Sequence, residues 1–61
     1  MGFKQARKKS GKTQQQAADA LNVTKAAVSL WETGEGFPEA KRLPQIAALY
    51  GCTIDELMSV E

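Results

Sequence analysis

Apolar residues recur along this chain at a helical spacing, in short bursts separated by turn formers. Ala17, Ala18 and Leu21 fall at i, i+1 and i+4, and Ala27, Val28 and Trp31 repeat that spacing one element later. Each triplet makes one apolar stripe on a short helix. Thr13 stands before the first stripe as an N-cap, so the pattern predicts a helix from Gln14 to Leu21. Asn22 follows at once, and Asn tolerates the left-handed backbone of a sharp helix stop. Val23 plugs the turn into the core, and Thr24 caps a second helix from Lys25 to about Glu32. With Ala27, Val28 and Trp31 turned inward, Lys25, Ala26, Ser29 and Leu30 face outward, with no acidic residue before Glu32. A short helix presenting small, polar and basic side chains, braced by another across a tight turn, suits insertion into the major groove of duplex DNA.

The flanking segments read as further short helices. Phe3 to about Ser10 forms a first helix, with Phe3, Ala6 and Arg7 on one face, and Gly11 ends it. Gly34 to Pro38 is a loop, punctuated by two glycines and a proline. A fourth helix starts between Pro38 and Leu43, nearer the latter because Pro44 is tolerable only in a first turn, and ends at Tyr50 before Gly51. Thr53, with Glu56 three residues on, gives a capping-box pattern for a last helix whose Ile54, Leu57 and Met58 are expected to point inward. The expected fold is all-α, a compact bundle of five short helices containing a helix-turn-helix, in one domain over 1–61. The expected core is Phe3, Ala6, Ala17, Ala18, Leu21, Val23, Val28, Trp31, Leu43, Ile46, Tyr50, Ile54 and Leu57.

Composition narrows the chemistry. The chain has 61 residues, no His and one Cys, so neither a disulfide within the chain nor a structural zinc site is expected, and no cofactor is implied. Cys52 follows the helix-stop glycine with no base near it in sequence, and Asp55 and Glu56 look like helix-start acids, which argues against an enzyme. No apolar run is long enough to span a membrane and no signal-peptide core follows the basic start, so a cytoplasmic protein without membrane partners is expected. The net charge is only +1, but Lys4, Arg7, Lys8, Lys9 and Lys12 crowd one end, while Asp55, Glu56 and Glu61 mark the other. Lys25 sits in a first helical turn, where a cation is slightly unfavourable against the helix dipole, and that mild cost favours a functional role.

Taken together, TQQQAADAL, VTKAAVSLWETG with its Trp-Glu-x-Gly ending, Pro38 and the closing LYGCTIDEL resemble the phage-repressor and Cro type of helix-turn-helix domain, the Xre family. The resemblance covers nearly the whole chain and implies a lambda-repressor-like fold. It implies that the helix beginning at Lys25 is the recognition helix, with Thr24, Lys25, Ala26, Ser29 and Leu30 at base-facing positions. It implies that Gln14 bonds a DNA phosphate and braces a recognition-helix side chain, and that Arg7 and Glu32 form a structural ion pair. Ala17 and Lys12 stand where the family usually has large aliphatic residues, and Asn22 where it usually has Gly, so either the core is under-filled or Trp31 occupies the missing volume.

These readings lead to an expected function. The chain is expected to be a sequence-specific, double-stranded DNA-binding transcriptional regulator, a repressor, bound as a dimer to a palindromic operator. Lys12, Lys41 and Arg42 join Gln14 as expected phosphate contacts, with Lys4, Lys8 and Lys9 nearby. Lys25 is the one long donor for a base edge, while Ala26 and Leu30 offer apolar contact to thymine methyls. The expected dimer is weak or forms on DNA, through the Gly34 to Pro38 loop and the last helix with Glu56 and Met58. The rival is an antitoxin-like or anti-repressor protein-interaction module, which an exposed apolar patch around Leu30, Phe37 and Met58 would favour.

Overall fold

The computed structural model describes residues 2–58; Glu61 of the acidic end lies outside the described residues. Five α-helices follow one another: α1 Phe3–Lys9, α2 Gln14–Leu21, α3 Lys25–Thr33, α4 Leu43–Tyr50 and α5 Ile54–Met58. A 3₁₀ turn, Ala40–Arg42, leads into α4 and keeps Pro44 within that helix's first turn. There is no strand among the described residues.

The helix boundaries have local causes. At the start of α2 the Thr13 hydroxyl accepts from Gln16 N while the Gln16 side chain accepts from Thr13 N, a reciprocal capping box. Thr24 caps α3 through Ala27 N, and Thr53 and Glu56 repeat the reciprocal arrangement before α5. Three helices end alike. After α2, Val23 N donates to Ala18 O and Asn22 N to Asp19 O, with Asn22 left-handed at φ 59°. Lys12 and Gly11 close α1 in the same pattern, and Cys52 and Gly51 close α4. These are Schellman stops, in which a left-handed residue lets two amides satisfy the last carbonyls of the helix.

The helix-turn-helix pair, α2 and α3, packs most extensively; α1 lies against α3, α4 and α5, and α4 against α2. The buried core is Ala6, Ala17, Ala18, Leu21, Val28, Trp31, Ile46, Ala47, Tyr50 and Leu57, with Phe3, Val23, Ala27, Leu43, Leu49 and Cys52 half-buried against it. Each fully buried Val28, Ile46 or Leu57 contributes about 1.5–3 kcal/mol relative to exposure. Two expectations are corrected. Ile54 and Met58 do not point inward: they are 38% and 39% exposed, on one side of a five-residue helix that can turn only Leu57 fully into the core. Ala47 belongs to the core instead, because the α4 stripe continues one residue past Ile46. Ala17 is wholly buried and Trp31 nearly so, with the Trp31 ring 6.3 Å from that of Phe3. A cleft of about 280 Å³ lies elsewhere, lined by Ala6, Lys9, Tyr50, Gly51, Cys52 and Glu56.

Candidate DNA-binding surface

α3 is held against its neighbours by Glu32. Its carboxylate sits near the C-terminal end of α3 with the side chain only 3% exposed. Arg7 reaches it from α1: Nε donates to Oε2 at 2.6 Å and Nη2 to Oε1 at 3.3 Å. Gln14 reaches it from the first turn of α2, Nε2 donating to Oε1 at 2.9 Å. The third guanidinium nitrogen, Arg7 Nη1, donates to the Lys12 carbonyl at 2.8 Å, tying down the turn between α1 and α2. The hydrogen bond to Glu32 holds the Arg7 pKa above its ordinary value, against the burial that lowers it. One buried carboxylate thus joins three helices, and every strong acceptor on it meets a charged or amide donor.

The structure puts the expected site residues in two groups. Thr24, Lys25, Ala26 and Leu30 are exposed on the outer side of α3, and Ser29 is half-buried beside them. Thr24 uses one lone pair of its hydroxyl oxygen as the α3 cap, which leaves the hydroxyl proton and a second lone pair free to face outward. Gln14 lies at the α2 N-terminus, half-buried, with one amide proton on Glu32 and the other unassigned. Neither α2 nor α3 carries an acidic residue in its first turn, whereas α5 carries Asp55 and Glu56. Neither helix thus offsets its own N-terminal dipole with an acid of its first turn, although Glu32, held by Gln14, lies beside the start of α2.

The expected phosphate residues are not equivalent. Lys41 is exposed, and Lys12 is half-buried. Arg42 turns back into the protein: Nη1 donates to the Leu21 carbonyl at 2.9 Å, and Nε lies 3.6 Å from Glu39. It caps the end of α2, adding a partner at a helix C-terminus where a cation is favourable. Sequence spacing gave no warning of that contact. Pro38, which punctuates the loop and belongs to the family resemblance, is buried. Gly36 was read only as a loop residue. Its N–H donates to the Leu30 carbonyl at 3.1 Å, and a Cβ on it would stand 2.9 Å from Leu30 Cβ.

Some groups stay outside this surface. The Tyr50 hydroxyl is buried without a hydrogen-bond partner among the described residues, and burial, with Glu32 adding, pushes its pKa up to about 12. Burial and then Glu56 push the Cys52 thiol up, which keeps it protonated and a poor nucleophile. Among the described residues no cluster of His, Cys, Asp and Glu could hold a metal, and no helix is long and apolar enough to cross a membrane.

Comparison with known proteins agrees with this geometry. The helix-turn-helix family matches residues 3–57. A helix-turn-helix-type transcriptional activator, BcrR of Enterococcus faecalis, is 45% identical over 49 residues, covering 80% of this chain and 24% of that protein. The transcriptional repressor RstR of the cryptic phage CTXphi in Vibrio cholerae serotype O1 is 39% identical over 51 residues, covering 84% of this chain and 46% of that protein. The chain thus spans less than half the length of either relative. No solved structure matches it. With its match over residues 3–57, its five-helix fold and its regulator relatives, the chain belongs to the Cro/C1-type helix-turn-helix family of DNA-binding transcription regulators, not to an enzyme family.

Proposed function

We propose that residues 1–61 form one sequence-specific DNA-binding domain that acts as a repressor, bound as a dimer to a palindromic operator with α3 in the major groove. The observation that carries the reading is the outer face of α3: five groove-facing positions held by a buried Glu32 brace that also fixes Gln14 at the start of α2. In this arrangement Lys25 donates to a base edge, with Thr24, Ala26, Ser29 and Leu30 around it. Gln14 gives its remaining amide proton to a phosphate, and Lys12 and Lys41 supply backbone charge. Arg42 reaches a phosphate only with the nitrogens its α2 cap leaves over. The cytoplasm or nucleoid is the matching location.

Two-fold symmetry places half-sites about 34 Å apart, one helical turn. The dimer is weak and completed on DNA, through the Gly34 to Pro38 loop and the side of α5 bearing Ile54 and Met58. Repression requires only that the operator be occupied, which this surface can do unaided. One observation favours the rival reading as a protein-interaction module, namely the exposure of Phe37 at 59% with Leu30 and Met58.

Selection of bound sites from a random duplex library, followed by titration against salt, tests the proposal. About 4–6 phosphate contacts per dimer give a log–log slope of roughly −4 to −5. A slope near zero, or no duplex binding at low salt, removes the DNA reading and leaves the interaction module.

A further inference from the structure

We propose that Ala26 and Leu30 read the 5-methyl group of a pyrimidine in the major groove, and that Gly36 is the positioning residue that fixes Leu30 for it. This rests on the placement of α3 in the groove proposed above. The outer side of α3 divides lengthwise into two rows. Lys25 and Ser29, at i and i+4, form a polar row; Ala26 and Leu30, also at i and i+4, form an apolar one. The major groove offers one apolar feature to such a row, the methyl on C5 of thymine. A 5-methylcytosine presents the same group.

Leu30 is 43% exposed, one of four exposed large apolar side chains among the described residues. Its backbone is held by the loop that follows α3. Its carbonyl accepts from Gly34 N and from Gly36 N, both at 3.1 Å. Its Cβ lies 2.9 Å, its Cδ1 3.6 Å and its Cγ 3.8 Å from where a Cβ on Gly36 would stand. Gly36 does not have the positive φ of the other glycines, so glycine is required here for close approach and not for backbone conformation. The loop closes on one flank of Leu30 and leaves the rest of the side chain open. The loop therefore holds the Leu30 main chain, and with it the origin of the side chain, in place. The two rows then read neighbouring base pairs, Lys25 a guanine and the apolar row a methylated pyrimidine.

The test is made on the DNA first. In the preferred duplex each thymine of a half-site is replaced in turn by uracil, which removes the methyl and nothing else. Loss of one buried methyl contact is expected to weaken binding roughly 3- to 5-fold, at one or two positions only. A cytosine placed there should gain a similar factor when it carries a 5-methyl group, which separates the methyl from the rest of thymine. Leu30→Ala should bring the thymine-to-uracil ratio close to one. Gly36→Ala should lower the same ratio, a change that mere loss of stability does not produce. Equal affinity of the unaltered protein for thymine and uracil duplexes overturns the proposal, as does Leu30→Ala with an undiminished ratio. An unchanged ratio in Gly36→Ala overturns the positioning role alone. If no duplex is bound at low salt, the groove placement itself has failed, and this inference falls with it.

Discussion

Replacing Arg7 by Ala is expected to remove most of the stability of the domain. The Arg7 and Glu32 side chains are 11% and 3% exposed, so the pair is removed from solvent and is not a surface bridge. Truncation takes away both guanidinium hydrogen bonds to Glu32 and the one to the Lys12 carbonyl. The carboxylate keeps a single side-chain donor, Gln14 Nε2. Removing one partner of a buried ion pair costs about 3–5 kcal/mol, because the other charge stays buried and unpaired. A chain of this length has only about 3–9 kcal/mol in total. Urea unfolding followed by the fluorescence of Trp31, buried in α3 beside Phe3, measures the loss directly. Because the penalty comes from the stranded charge, Arg7→Met combined with Glu32→Leu should recover most of it. An Arg7→Ala loss below about 1 kcal/mol, the range of an exposed pair, would falsify the brace as described. So would a double variant no more stable than Arg7→Ala.

Four further outcomes are expected. Lys25→Ala should relax base preference at one position per half-site, at about 1–3 kcal/mol on the preferred duplex, while Gln14→Ala should weaken preferred and scrambled duplexes by similar factors, read from paired titrations. Arg42→Ala should lower the unfolding free energy by about 1 kcal/mol through the lost Leu21 cap, whereas Lys41→Ala should leave unfolding unchanged and flatten the salt slope of the dimer by about two, one contact per subunit. Asn22→Gly should be neutral or slightly stabilising in thermal unfolding, and Asn22→Ala should cost about 1 kcal/mol, because φ is 59° there. The buried Tyr50 hydroxyl has its pKa raised from 10.0 to about 12, so its neutral form is favoured by folding. That contribution is complete below pH 10 and is lost as the pH rises toward 12, a decline that should disappear in Tyr50→Phe when stability is followed against pH.

Local signals in the sequence carried most of the fold. Thr13, Thr24 and Thr53 are caps whose chemistry acts within one turn, and Asn22, Gly11 and Gly51 are stops of the same kind, so the helix boundaries could be read from neighbours alone. Where each stripe points is a tertiary matter. Ile54 and Met58 have the spacing of a buried face, but α5, a five-residue helix packed against α1 and α4, buries only Leu57. The contact from Arg42 to Leu21 spans 21 residues and leaves no periodicity behind, so Arg42 looked like any other surface cation. The Gly36 approach to Leu30 was hidden because a glycine between turn formers is already explained by the turn. Glu32 was named through family resemblance, which also implied that Gln14 braces a side chain of the helix beginning at Lys25; that this side chain is Glu32 follows from how α2 lies beside the end of α3.

The outer face of α3 has a consequence for how such proteins diverge. Lys25, Ala26 and Leu30 are exposed and belong neither to the buried core nor to the Glu32 brace. Substitutions at surface positions of this sort usually change stability by no more than about 0.5 kcal/mol. On the DNA-binding reading proposed above, descendants of this chain can therefore drift toward a new target sequence one residue at a time without passing through an unfolded ancestor. Leu30 is tethered to Gly36, so a change of bulk at one of the two invites a matching change at the other. Among sister domains these two positions should covary, while Lys25 and Ala26 wander freely.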